Sequence, residues 1–445
     1  MPRRRASLHA RSFLLPQGAG GSGYGNFGEM GPLDIALQPR NTTWLSAASL
    51  LFVDNPVGAG YSYVDSPALI PRNNSAIAAD LVALVTAFVA ALPDASTLPF
   101  YIVCESYGGK MGIEAAMALS AAVSSGALKL NLRGVAMGDS WISGIDYVDT
   151  WAPFLRATSL MTAQAKATIV DPLVAAADAA VAAGNWAEAT NAWGAVEGGI
   201  DQATPPGVNF YNVLNWSCEP LCAATPARMS AAALALAPAG VDHGALQRLF
   251  ARHVAPLQAD PVATLMNGPI KTKLNLPANV IWGSQSDAVF STLSGDFMRP
   301  VVDVVDAALA ANKFDVIVYE GQVDLICGTM GAEAWMQKLT WQGMPGFYSA
   351  AKPAFYAGGD TVDPAGFSIT SGPLSMYYVL KAGHMVPQVR QEIMAREGEG
   401  RGRRAFFSLY SASPAANPRS GTPRTHSQDQ GAAALVMIKM IMGQM

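Results

Sequence analysis

The chain is short of charge, cysteine and histidine. Charged residues fill 14% of its 445 positions, the formal net charge is −4 and the sequence pI is about 5.8. No basic field is therefore available to hold a phosphate backbone or an anionic lipid surface, and neither nucleic acid nor membrane is expected as a partner. The cysteines, Cys104, Cys218, Cys222 and Cys327, are too few for a disulfide framework and lack the paired spacing of a structural zinc site. Cys218 and Cys222 leave room for one local bridge. After Arg3, Arg4 and Arg5 no apolar run of signal-peptide length precedes the glycine-rich stretch at 18–28. The apolar segment 77–92 contains Asp80 and stops at Pro93, so no stretch is expected to span a bilayer. The expectation is a soluble protein.

What the chain has in quantity is apolar bulk. With 51% hydrophobic residues, it can bury a large core or two, which excludes disorder as the main theme. Residues 50–54 (LLFVD) and 100–104 (FYIVC) are continuous apolar runs followed by turn residues, the pattern of parallel strands covered on both faces. Helices are predicted over 75–92 and from Gly109 to about Ser124, and the next strand over 135–137. This alternation argues for a doubly wound α/β sheet. From Trp141 to about Gln285 the rhythm changes to Ala-rich helical segments such as 162–184, read as an inserted helical cap. Sheet rhythm returns with a helix at 297–312 and strands at 316–319 and 375–380. Residues 388–427 mix Arg with Gly, Ser and Pro without periodicity and are expected to be mobile, and a helix follows to Met445. The divisions read from this are 1–140 and 286–387 for the core, 141–285 for the cap, 388–427 for an insertion and 428–445 for a terminal helix.

The sharpest local signal is Cys104-Glu105-Ser106-Tyr107-Gly108-Gly109, between a predicted strand and a predicted helix. A serine on such a turn has its hydroxyl exposed above the sheet, small residues after it let strand and helix pack closely, and the Tyr107 N–H points into an oxyanion hole. A Ser-x-Gly fragment alone is more often an ordinary loop; the flanking elements reverse that reading. Such a serine needs a base and the base needs an orienting acid, in the chain order Ser, Asp, His. His384 lies directly after the last predicted strand, and Asp324 directly after the strand at 316–319. Each alone reads as a turn Asp or a surface His. Three matches at strand ends in the required order point to a catalytic triad.

These residues resemble the serine carboxypeptidase family, most closely its retinoid-inducible branch. The resemblance runs from Gly18 to Pro387 and is carried by Gly25-Asn26-Phe27, Glu29-Met30-Gly31-Pro32, the run from Thr42 to Tyr63 and the elbow. Gly138-Asp139-Ser140-Trp141-Ile142-Ser143, GVNFYN from Gly207, LMNGPI from Leu265 and the Asp324 and His384 motifs complete it. It implies the α/β-hydrolase fold and removal of single C-terminal residues from peptides or proteins, best in acid, with no cofactor and no metal. It further implies that Glu29 and Glu105 bind the substrate's carboxylate, that the N–H groups of Gly18 and Tyr107 form the oxyanion hole, and that Asn55 and Tyr61 lie in the substrate pocket. A lysosomal, vacuolar or secreted address is implied, with Asn41, Asn73 and Asn215 opening glycosylation sequons; a homodimer is left open.

Two departures stand out. The run at 14–20 (LLPQGAG) lacks the first glycine and the Trp of the family's glycine-rich loop, and the family's more N-terminal strands are expected to be missing from this chain. The tract at 388–427 separates His384 from a helix that the family joins to it directly. An acyltransferase on the same fold and a catalytically silent binding homologue therefore stay open beside the carboxypeptidase reading.

Overall fold

The computed structural model describes residues 13–17 by their backbone, and residues 21–216, 228–255, 261–283, 286–359, 361–387 and 430–444. Gly18, Cys218, Cys222 and the tract at 388–427 lie outside the described residues. The strands are β1 (Phe13–Gln17), β2 (Ser49–Leu50), β3 (Pro99–Ser106), β4 (Asn131–Ser140), β5 (Asp315–Gly321), β6 (Ala354–Phe355), β7 (Gly366–Ser371) and β8 (Leu374–Val379). They form one eight-stranded sheet in the order β2-β1-β3-β4-β5-β8-β7-β6. Every pair from β2 to β8 is parallel, and β7 and β6 add an antiparallel edge. This is the mostly parallel, doubly wound sheet of an α/β-hydrolase.

The helices that frame it are α1 (Asn74–Ala91), α2 (Gly108–Ser124), α3 (Gly144–Ala157), α4 (Asp171–Ala182), α5 (Trp186–Ala203), α6 (His243–His253), α7 (Val302–Ala311) and α8 (Gln430–Ile441). Between β4 and β5 the described elements are all helical, which is the inserted cap and the return to the core. Strand periodicity explains why the sheet is covered twice. Ile102, Cys104, Val135, Met137, Val316 and Val318 belong to the core shared with α1, α2 and α7. Their sequence neighbours Tyr101, Val103, Ala136, Ile317 and Tyr319 belong to a second core with Trp44 and, from α8, Ala434, Met437 and Ile438. By length and composition α1 is apolar enough to cross a membrane; it packs through Ile77, Leu81 and Val85 into the first core.

Three expectations change. The run at 50–54 pairs only through Ser49 and Leu50; at its far end the Asp54 carboxylate accepts the Ser22 N–H at 3.1 Å, the Ser22 hydroxyl at 2.7 Å and the Tyr61 N–H at 2.8 Å. The helix expected from Phe297 begins at Val302: Pro300 has no N–H to give a helix, the Phe297 carbonyl accepts the Trp141 indole N–H at 2.8 Å and the Val301 N–H donates to the Ile142 carbonyl at 2.9 Å. Strands β1, β6 and β7 were not read from the sequence: Pro16 interrupts β1, β6 spans only Ala354 and Phe355, and β7 lacks a continuous apolar run.

Close packing of strand and helix depends on glycine. A Cβ at Gly109 would stand 2.3 Å from Ser140 Cβ, and one at Gly112 would stand 2.4 Å from Cys104 Sγ. Gly198 on α5 has nothing within 4 Å of that position. Urea unfolding of Gly109→Ala is expected to show a loss of about 1–3 kcal/mol from overpacking, whereas Gly198→Ala gains about 0.5–1 kcal/mol by restricting the unfolded chain.

Candidate active site

Ser106 ends β3 and α2 begins at Gly108. Its φ is +59°, a left-handed conformation that costs a non-glycine residue about 1–2 kcal/mol and is kept only where the surroundings impose it. The ladder shows how: pairing runs Cys104↔Met137 and Glu105↔Gly138, then skips to Ser106↔Ser140. Trp141 N–H donates to the Ser106 carbonyl at 2.9 Å. Beside it, the Tyr107 hydroxyl donates to Asp296 Oδ2 at 2.7 Å, which also receives Lys110 Nζ at 2.6 Å and Asn74 Nδ2 at 2.7 Å. Lys110 is fully buried; burial lowers its pKa against the pull of Asp296. The residue after the serine is thus held by a buried ion pair reaching across 186 positions.

Asp324 and His384 follow β5 and β8. Nδ1 of His384 lies 2.8 Å from Asp324 Oδ2, and both side chains are buried. The Ile326 N–H donates to Asp324 Oδ1 at 3.1 Å and the Cys327 N–H to Oδ2 at 3.2 Å. With Nδ1–H donated to the carboxylate, the imidazole presents Nε2, which is buried without a hydrogen-bond partner among the described residues. Donor atoms of Asp324, Cys327 and His384 lie within 4.8 Å of one another. Burial, reinforced by Asp324, raises the Cys327 thiol pKa well above its usual value, so the thiol stays protonated.

Carboxyl groups crowd the same end of the sheet. Glu29 is buried and its pKa is pushed up to about 7, chiefly by burial, against the charges of His384 and Arg40 and a hydrogen bond with Glu105. Burial, then the charges of Glu29 and Asp324, raise Glu105 well above a normal glutamate, and the bond to Glu29 raises it further. Glu105 therefore keeps its proton and donates it to Glu29. Arg40 braces this group from the backbone, donating to the Glu29 and Phe27 carbonyls at 2.5 and 2.6 Å. A second pair lies at the ends of β4 and β5. Asp139, at φ +38°, accepts the Gly321 N–H at 2.7 Å. Asp139 Oδ2 and both Glu320 oxygens are buried and lack ordinary donors. Burial raises both groups, and a proton shared between them satisfies one oxygen of each.

Comparison with known proteins places the chain in a family. The family described as serine carboxypeptidase matches residues 18–396. The retinoid-inducible serine carboxypeptidase of Mus musculus is 44% identical over 382 residues, covering 85% of this chain and 81% of the relative. The chain belongs to the serine carboxypeptidase family. The human retinoid-inducible serine carboxypeptidase is 43% identical over 84% of this chain and 80% of its own length. Serine carboxypeptidase-like 51 of Arabidopsis thaliana is 36% identical over 83% and 79%. A prohormone-processing carboxypeptidase of Saccharomyces cerevisiae shares the fold, with a TM-score of 0.67 at 18% identity over 85% of this chain and 80% of that one.

In this serine carboxypeptidase the two pocket candidates sit differently. Asn55 is buried and its Nδ2 donates to Met111 Sδ at 3.2 Å. The Tyr61 hydroxyl donates to the Met266 carbonyl at 2.5 Å, and its ring joins an apolar cluster with Phe27, Met266 and Trp282. Sequence reasoning missed Asn74, Lys110, Asp296 and the Asp139–Glu320 pair as parts of the site. No local pattern marks them, although two acids at strand ends beside the Asp324 motif were a usable signal.

The acid pairs set the direction of pH dependence. A carboxyl whose pKa is raised by folding binds its proton more tightly in the native state, so its contribution to stability is complete below the unfolded value and is lost as pH rises through the folded one. For Glu29 that window runs from 4.5 to about 7; Glu105, Asp139 and Glu320 are raised as well and add to the loss in the same direction. Melting temperature is expected to fall between pH 5 and pH 8, and the Glu29→Gln/Glu105→Gln double variant to show a shallower fall. An unchanged slope would contradict the carboxyl pairing.

Proposed function

We propose that the chain removes C-terminal residues from peptides through an acyl-enzyme on Ser106. The reading rests most on one observation: a buried His384–Asp324 pair, its Nε2 without a partner among the described residues, after the carboxyl ends of β5 and β8 in the same parallel sheet whose strand β3 ends in Ser106. His384 accepts the Ser106 proton as Oγ attacks the scissile carbonyl, and Asp324 stabilises the imidazolium that forms. The proton then passes to the leaving amine, the C–N bond breaks, and water activated by the same imidazole releases the acyl group. The N–H groups of Tyr107 and Gly18 are assigned to the oxyanion, with Asp296 and Lys110 restraining Tyr107.

Specificity for a free C-terminus is assigned to Glu29 and Glu105. A protonated carboxyl donates a hydrogen bond to the substrate carboxylate, whereas two ionised ones repel it. Binding therefore weakens as pH rises through the raised values, while His384 must be neutral to act as base and favours higher pH. These opposed demands support an acidic to neutral working range for peptide acids.

Two measurements test this. Ser106→Ala, His384→Ala and Asp324→Asn are expected to lower kcat by about 10⁴-fold or more with folding retained; near-normal peptidase activity in Ser106→Ala would refute the nucleophile. For a peptide acid, KM is expected to climb as pH passes about 7, the value to which Glu29 is raised. The matching C-terminal amide stays flat, and Glu105→Gln narrows the difference between them. Parallel profiles for acid and amide would remove the carboxylate-binding role and leave the hydrolase chemistry untouched.

A further inference from the structure

The loop at 208–213 leaves the cap and touches both loops that carry the acid and the base. The Phe210 carbonyl accepts the Leu325 N–H at 3.0 Å and the Ile326 N–H at 2.9 Å, and the Val213 N–H donates to the Val323 carbonyl at 3.0 Å. The Tyr211 carbonyl accepts the His384 N–H at 2.8 Å. The approach is close enough that a Cβ at Gly383 would stand 2.4 Å from the Tyr211 oxygen. The Tyr211 ring also packs on the His384 imidazole, centroids 5.0 Å apart and planes at 77°. One residue thus contacts the base through both its backbone and its ring.

The far end of that ring is anchored in the cap. Tyr211 Oη lies 2.8 Å from His253 Nδ1, and His253 Nε2 lies 2.7 Å from Glu197 Oε1. Glu197 also accepts from Arg252 Nη1 at 3.1 Å, and Arg252 reaches Asp201 with its other nitrogen. Trp193 stacks on the His253 ring at 5.5 Å, and Arg252 lies over the Phe210 ring at 4.6 Å. Burial alone would raise the Glu197 pKa, but the charges of His253 and Arg252 bring the net shift below its ordinary value. Glu197 Oε1 faces Nε2 of His253, and Nδ1 on the other side of the ring holds the Tyr211 hydroxyl. Burial and Glu197 keep that phenol protonated.

We propose that Tyr211 is a positioning residue for His384, and that the Glu197–His253 pair of α5 and α6 locks it in place. With its hydroxyl fixed, the Tyr211 ring cannot swing away from the imidazole. The imidazole plane then keeps Nδ1 on Asp324 and leaves Nε2 free to act as the base. The inference rests on the reading of His384 as general base. It adds a route by which the cap acts on the chemistry without touching the reacting atoms.

The test is a double-mutant cycle on the full chain, read by kcat and KM with a peptide acid and by the second-order labelling rate of a fluorophosphonate probe. Tyr211→Phe and His253→Ala are each expected to lower kcat and labelling roughly tenfold, the scale of one lost positioning contact, with KM nearly unchanged. The double variant should lose no more than either single one. His253→Gln offers the phenol a carbonyl and Glu197 an amide N–H, and is expected to restore both rates to within about threefold of the parent. Additive losses, a change confined to KM, or a lowered melting temperature with normal labelling would each overturn the proposal. Should His253→Ala fail to fold, the contrast of Tyr211→Phe with His253→Gln decides it: a loss in the first and none in the second is required. Parent protein that does not label would remove the general-base reading itself, whereas labelling without peptidase activity would remove only the carboxypeptidase assignment.

Discussion

The hydrogen bond between His384 Nδ1 and Asp324 Oδ2 joins residues 60 positions apart, and it exists because β5 and β8 are parallel neighbours. Their register brings Glu320 beside Tyr378 and Gly321 beside Val379. Beyond the ladder, the Gln322 N–H donates to the Val379 carbonyl and the Val323 N–H to the Ala382 carbonyl, so the two loops remain interlocked. Gly321 is the contact that permits this: a Cβ there would stand 2.2 Å from the Gly383 carbonyl oxygen. Side chains at the carboxyl ends of adjacent parallel strands converge, which is where such sheets place their chemistry. Displacing either strand would part the acid from the base and expose the acids packed below.

Those acids carry a cost. Glu29, Glu105, Asp139, Glu320 and Asp324 approach one another with Arg40, His384 and backbone N–H groups as their main compensation. Two carboxyl groups in contact in a low-dielectric site hold one proton between them more cheaply than they hold two charges. A chain built this way is at ease in acid and strained as pH rises. The Asp139–Glu320 pair ties the ends of β4 and β5 beneath the loop that carries Asp324, so stability and site geometry answer to the same protons.

Much of the site was legible because it is local. Ser106 announces itself by an apolar run before it and small residues after it, and the strained φ of +59° is what such a turn requires. Asp324 and His384 were legible from order and from strand ends. Glu29 and Gly18 were visible only through likeness to the family, since a buried glutamate and a surface one look alike in sequence. Residues 50–54 misled for the same reason: an apolar run has no mark that says where its ladder stops, and this one stops after Leu50. His253 read as an unremarkable cap histidine, because its partners Tyr211 and Glu197 lie 42 and 56 positions away.

By itself the sequence determined what short-range periodicity and steric limits encode: alternating coverage of the strands on two faces, the serine turn, the glycines that let α2 settle on β3 and β4, and the order of the triad. The tertiary structure alone decided which polar groups meet. Lys110 finds Asp296, Glu105 finds Glu29, Asp139 finds Glu320 and Tyr211 finds both His253 and His384. Each meeting is fixed by strand order and cap placement, and none by spacing along the chain. Burial then sets the protonation of those groups, because a carboxyl's proton affinity depends on the water and charges around it, and neither is fixed until the chain has folded.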